Sequence, residues 1–225
     1  MLNYEVDPTL VEPLVPASVE IDRWSGRLYV SVVGFLFLDT RVLGLAVPGH
    51  RAFEEVNLRF YVRRHVGGET RRGVVFVREL VPRLAIAGAA RLLYNEPYRA
   101  LTMRHRIDSP GDGTTTREFA WRVGGVWTRL VARTVGPSRS LVAGSEEEFI
   151  TEHYWGYTRQ RDGGTIEYRV DHPRWNVWSA TEARLEGDAA AVYGDAFAQA
   201  LRGPPRSAFV ADGSAVTVFA PNRIR

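Results

Sequence analysis

The sequence has no cysteine, and all 29 of its basic Lys+Arg residues are arginine. Without cysteine there can be no disulfide, no thiolate metal site and no thiol nucleophile. That absence also fits a cytoplasmic protein. Without lysine, no Schiff base can form on a lysine side chain and no lysine can act as general base. No apolar run reaches the roughly 18 residues of a membrane-spanning helix, so no membrane partner is expected. The N-terminal MLNYEVDPTL lacks the basic and apolar segments of a secretory signal. The five histidines, at 50, 65, 105, 153 and 172, form neither HxH nor HExxH, so no metal is expected. There is no P-loop, GxGxxG or GxSxG, and no cofactor is expected. Net charge is +3, with arginine interleaved among Glu and Asp rather than gathered on one face, which argues against a nucleic-acid partner. The densest group, Arg63, Arg64, Arg71 and Arg72, flanks the turn HVGGET and reads as a solvated hairpin tip.

What is present fits one β-rich domain over residues 1–225, with enough apolar residues for a real core. Asp7-Pro8 predicts a short helix with Asp7 as N-cap and Pro8 at N1, ended by Pro13 and Pro16. Residues 27–38, RLYVSVVGFLFL, predict a strand buried on both faces, with Gly34 marking a bulge or sharp bend. Residues 55–64 alternate: Val56, Leu58, Phe60 and Val62 face one way, and Glu55, Asn57, Arg59, Tyr61 and Arg63 the other. Gly67-Gly68 predicts a hairpin turn into a strand over 73–81. Residues 83–94, rich in Ala and Leu, predict a helix stopped by Asn95-Glu96-Pro97. Strands over 98–107, 117–123 and 126–135 form a meander. Ser145 to Glu148 is a capping-box pattern opening a short helix. Strands over 152–160, 165–171 and 176–186 follow, then an amphipathic helix over 188–201 and a closing hairpin of 207–211 and 215–220 across Asp212-Gly213. The fold class is α+β: a mainly antiparallel, closed or half-closed barrel with a few flanking helices.

Three groups of residues could carry chemistry. Glu55, Asn57 and Arg59 stand at i, i+2 and i+4 on one strand face. There a carboxyl for proton transfer and a guanidinium for an anion could converge on one ligand, unless that face simply meets water. ARLLYNEPY gathers Arg91, Tyr94, Glu96 and Tyr98 at a helix-to-strand junction, which also reads as a plain helix stop. ITEHYWGYTR and YRVDHPRWNVW supply Glu152, His153, Tyr154, His172 and Trp175. On a strand, Glu152, Tyr154 and Gly156 would share one face, while His153, Trp155 and Tyr157 share the other.

The blocks NYEVDPTLVEPLVP, VSVVGF, FEEVNLRFYV, GVVFVRELVP, ARLLYNEPY and TEHYWGY with VDHPRW, in this order over about residues 3–180, resemble the YqjF-like bacterial family. That family is a domain of unknown function in the acetoacetate decarboxylase-like superfamily. The resemblance implies a cone-shaped β-barrel with flanking helices and a central pocket. In acetoacetate decarboxylases a Pro-Lys-Lys segment supplies the Schiff-base lysine. Pro97-Tyr98-Arg99 looks like its counterpart, which would place Tyr98 where the nucleophile stands. Imine chemistry is not implied here, because the lysine is missing. The resemblance implies a small organic acid or carbonyl ligand, with Arg59 or Arg91 holding an anion. Glu55, Tyr98 and Glu152 are the candidate catalytic residues for non-covalent acid–base chemistry. Asn57, Arg59, Arg91, Tyr94, Tyr154 and His172 are the candidate ligand contacts. A non-catalytic sensor or carrier and a partner-binding protein are the alternatives, and a homo-oligomer stays open.

Overall fold

The structure, a computed structural model, describes residues 1–38, 41–42, 45–46, 52–85, 87–88 and 94–224. Its strands are β1 (Leu2–Glu5), β2 (Glu20–Ile21), β3 (Tyr29–Phe37), β4 (Arg41–Val42), β5 (Leu45–Ala46), β6 (Phe53–Val66), β7 (Glu69–Val81), β8 (Tyr98–Ala100), β9 (Thr102–Asp108), β10 (Thr114–Val123), β11 (Val126–Val135), β12 (Trp155–Arg159), β13 (Thr165–Asp171), β14 (Val177–Glu186), β15 (Ser207–Ala211), β16 (Thr217–Val218) and β17 (Asn222–Ile224). The helices are α1 (Glu146–Thr151), α2 (Ala190–Tyr193) and α3 (Asp195–Ala200), with helical residues at 84–85 and 87–88. Among the described residues, no helix is long and apolar enough to cross a membrane.

One large sheet carries the fold, in the order β16-β13-β12-β7-β6-β3-β1-β15-β14-β11-β10-β9, with β17, β2 and β8 attached at its sides. The pairing is antiparallel, except that β8 and β12 both run parallel to β7. Among the described residues no pairing joins β9 to the other end of the order. The sheet curls but is not closed into the expected barrel. Curling is visible in the core: Val30, Val32, Val56 and Leu58 from the middle of the sheet pack with Phe119, Trp121 and Leu130 from its β10–β11 end.

Gly34 sits where the sheet folds over. Its register with Val56 runs through without interruption, so the bulge expected there is absent. The residue is needed for space. A Cβ at this position would come within 2.7 Å of Phe119 and 2.8 Å of Leu130. A strand irregularity lies instead in β7, where the pairing with β6 shifts between Leu58 and Arg59 and leaves Val77 as the extra residue, and another lies between β11 and β14 at Arg133 and Thr134.

Other expectations need correction. Asp7 caps a 3₁₀ turn (Pro8–Leu10) as read, but Pro13 lies inside a second such turn (Glu12–Leu14) rather than ending the first. The strand expected over 98–107 breaks at Leu101, its first part joining β7. The helix expected over 188–201 is two short ones, because Gly194 (φ 82°) stands in a conformation that only glycine adopts without strain. The last segments do not form a hairpin: β15 pairs with β1 and β14, and β16 with β13. The helix over 83–94 lies largely outside the described residues. The Ser145 cap is as read, with its hydroxyl accepting from Glu148 N. The Glu148 carboxyl reaches back to Gly144 N, one residue earlier than a regular capping box.

Candidate functional site

The alternation in β6 sorts its residues between two buried environments. Val56, Leu58, Phe60 and Val62 enter the main core. Most of the opposite face is closed to water: Glu55, Asn57 and Tyr61 are buried and Arg59 is half-buried, while the Arg63 side chain at its end is 42% exposed. The row predicted as possibly solvent-facing therefore lies inside the molecule, with apolar clusters at either end around Phe53 and Tyr61.

Three strands place an acid cluster at the Glu55 end. Asn57 pairs with Glu79 across β6–β7, and Glu79 pairs with Tyr98 across β7–β8, so three polar side chains stand side by side. Asn57 Nδ2 donates to Glu55 Oε1 at 3.1 Å, and the Tyr98 hydroxyl donates to Glu55 Oε2 at 3.1 Å. Glu96 is buried beside them. Its Oε1 accepts from Thr158 at 2.5 Å and from the Tyr168 hydroxyl at 2.9 Å. Glu79 Oε2 and Asn57 Oδ1 are buried without a hydrogen-bond partner among the described residues.

These three carboxyls are buried together, and among the described residues Arg59 is a cation acting on Glu55. Burial pushes Glu55 up to about 7, against the hydrogen bonds from Asn57 and Tyr98 and the charge of Arg59. Burial likewise pushes Glu96 up to about 7, against the bonds from Thr158 and Tyr168. Burial, then the charges of Glu96 and Glu55, hold Glu79 well above the carboxylate range. Burial and the same neighbouring carboxyls hold the Tyr98 hydroxyl well above its ordinary value, so it stays a donor. Such a group can release and take up protons near neutral pH.

The other end of the same strand face holds a different polar group. Tyr61 and Ser31 share a hydrogen bond of 2.6 Å, Ser31 donates to Asn3 Oδ1 at 2.6 Å, and Asn3 Nδ2 donates to Ser207 at 3.0 Å. Ser207 in turn donates to Glu146, which also accepts from Tyr29. His153 packs against Tyr61 and Phe149, with its Nε2 3.8 Å from Asp22. Burial pushes His153 down to about 4, which keeps it neutral at pH 7. Arg59 lies between the two ends, and its Nη2 donates to the Ile150 carbonyl at 3.2 Å.

Of the residues singled out from the sequence, Glu55, Asn57, Arg59 and Tyr98 come together. Tyr94 borders them, its ring edge-on to Tyr168 at 5.2 Å. Arg91 lies outside the described residues. Glu152 and Tyr154 precede β12 rather than alternating within it, because Glu152 is the C-cap of α1. They pair with each other at 2.6 Å, and His172 stacks between Tyr154 and Trp175 at 4.8 and 4.1 Å. No hydrogen bond joins this group to the acid cluster among the described residues. Glu79, Thr158 and Tyr168 were not picked out from the sequence. Glu96 was visible in its motif but not assigned a role. No group of three or more His, Cys, Asp or Glu among the described residues is arranged to hold a metal ion.

Comparison with known proteins follows the same lines. The curated relative YqjF of Bacillus subtilis (strain 168), itself uncharacterized, is 28% identical over 185 residues, covering 79% of this chain and 71% of the relative. Among solved structures, an acetoacetate decarboxylase-like enzyme from Sphingomonas wittichii RW1 aligns with a TM-score of 0.62 at 15% identity, covering 100% of this chain and 89% of that one. The acetoacetate decarboxylase of Legionella pneumophila aligns at 0.56 and 15% identity over 99% of this chain and 79% of that one. The enduracididine biosynthesis enzyme MppR, in complex with pyruvate, aligns at 0.58 and 14% identity over 99% of this chain and 83% of its own. The fold is thus that of the acetoacetate decarboxylase-like proteins. The model of DUF2071, a family of uncharacterized conserved proteins, matches residues 1–215, and this chain belongs to that family.

Proposed function

We propose that the chain binds a small carbonyl or carboxylic compound against Glu55, Asn57, Glu79 and Tyr98, and that its chemistry there is non-covalent proton transfer. The observation that carries this reading is Glu55: a buried carboxyl held at about 7 and hydrogen-bonded to a tyrosine that stays protonated. Pyruvate, the ligand seen in MppR, supplies the model compound. In the proposed enolisation, Glu55 as carboxylate takes a proton from the carbon beside the carbonyl. The C–H electrons form the enol double bond, and the carbonyl π electrons move onto oxygen, which the Tyr98 hydroxyl meets with a hydrogen bond. Arg59 is the cation for the ligand's carboxylate. A covalent imine on a lysine is excluded because the sequence has none.

The experiment has two arms. Pyruvate titrated into the chain should raise the melting temperature progressively with concentration, and Arg59→Leu should remove that shift. In deuterium oxide, the methyl protons of pyruvate should exchange faster with the protein present, and Glu55→Gln should return the rate to background. If neither pyruvate nor a panel of keto acids shifts the melting temperature, the binding reading fails. Binding without faster exchange leaves a carrier or sensor and removes the proton-transfer step.

A further inference from the structure

Counting donors and acceptors in the acid cluster says more about what fits there. Glu55 receives two donors, from Asn57 and Tyr98. Glu96 receives two, from Thr158 and Tyr168, both on the same oxygen. Among the described residues, Glu79 Oε2 receives none, and neither does the amide oxygen of Asn57, although both residues are only 2% exposed. These two residues are directly paired across β6 and β7, so their side chains leave the same face of the sheet side by side. Asn57 is not an acid, and its orphan oxygen records a missing donor. While Glu79 is protonated its own O–H is a donor beside the Asn57 oxygen; once Glu79 ionises, both oxygens need a donor from outside the cluster.

The charge count agrees. Among the described residues, Arg59 ranks with the main influences on Glu55, while Glu79 and Glu96 feel chiefly burial and, among charges, the other carboxyls. A buried anion is stable when a cation lies beside it. A bare metal ion is a poor answer, because these carboxyls do not converge into a metal-holding group. A nitrogen cation is larger and brings several directed N–H donors, as the two orphan oxygens require.

We infer that the ligand carries a positively charged nitrogen group, an ammonium or amidinium, which donates to Glu79 and Asn57 while its carbonyl or carboxyl end is held as described above. The substrate class is therefore an amino- or guanidino-substituted keto acid rather than a plain keto acid. This rests on the binding reading of the same site and narrows it. Binding of the cation would favour ionised carboxyls and expel protons from the cluster, so affinity would rise between pH 6 and pH 8.

Levulinate and 5-aminolevulinate test it, since they share the carboxylate and ketone and differ in the ammonium group. By calorimetry on the unmodified chain, 5-aminolevulinate should bind at least about tenfold more tightly at pH 7.5, as a charge-assisted donor to a buried carboxyl warrants. Its advantage should shrink at pH 6. Glu79→Gln should bring the two ligands close to equal, with the variant's own melting curve as a check on folding. If levulinate binds as well as 5-aminolevulinate to the unmodified chain, the cation inference is overturned and the carbonyl site stands. If neither binds, both readings fall. An advantage for 5-aminolevulinate that is independent of pH, or that survives Glu79→Gln in a folded variant, places the cation away from this cluster and also overturns the inference.

Discussion

The two ends of the inner face of β6 are buried to a similar degree, yet they are finished differently. At the Tyr61 end, donors and acceptors run without a gap from Tyr61 through Ser31, Asn3 and Ser207 to Glu146, and among the described residues the atoms without a partner there are the two ring nitrogens of the neutral His153 beside them. At the Glu55 end, three carboxyls stand together, and an oxygen each of Glu79 and Asn57 has no hydrogen-bond partner among the described residues. A completed chain of hydrogen bonds holds strands in register. An incomplete one is a cost that the fold alone does not explain, and it points to a ligand.

The largest expected effect that separates the two ends is in pH. Glu55 and Glu96 have folded values of about 7 against an ordinary 4.5, so the folded state binds protons more tightly than the unfolded one. Their contribution to stability is present at low pH and is lost as pH rises from about 4.5 through 7. His153 at the other end has the opposite sign. Its folded value near 4 lies below the ordinary 6.5, so its contribution is lost as pH falls through that window. Urea unfolding at pH 5 and pH 8 should therefore show Glu55→Gln gaining relative to the unmodified chain as pH rises. A constant difference between the two proteins would remove the acid end from this comparison.

Next in size is the completed chain. Ser31→Ala leaves the Tyr61 hydroxyl and the Asn3 amide oxygen without their shared partner, and should cost about 2 kcal/mol at any pH between 5 and 8. A change below about 0.5 kcal/mol would show that this end tolerates gaps too, and the contrast would lose its meaning. The smallest effect is Tyr98→Phe. It removes one donor from Glu55 and should cost no more than about 1 kcal/mol at pH 7. It should also raise the Glu55 carboxyl further, because the hydrogen bond favours the ionised form. Carbon-13 NMR titration of the carboxyls would detect it, and a lowered Glu55 value would contradict the hydrogen-bond assignment.

Much of β6 was legible because a period of two is a strong signal and the hairpin turn at Gly67-Gly68 is sharply marked. Whether its polar face was wet stayed open, since alternation alone does not tell a buried polar face from an exposed one. Glu79 was missed for a definite reason. Counting back from the turn without interruption sets Asn57 opposite Arg78. The extra residue Val77 moves the register by one and brings Glu79 there instead. Nothing in GVVFVREL announces that irregularity. The split at Gly194 was there to be seen as a glycine, but the apolar periodicity on both sides outweighed it. Glu152 was misplaced because the α1 helix runs one residue short of the predicted strand and takes Glu152 as its cap. The barrel was expected from the strand count and the resemblance, and strand count does not determine closure.

The open sheet has a consequence for the protein's behaviour in solution. Among the described residues β9 pairs only with β10, which leaves its other backbone edge available to a strand from another molecule. Along this segment Arg104, His105, Arg106 and Asp108 are exposed, and only Met103 is half-buried. Another copy pairing antiparallel about His105 would set Arg104 against Arg106 twice, a repulsion repeated on both sides of the contact. Charge on the strand that ends the sheet thus disfavours this register of self-pairing.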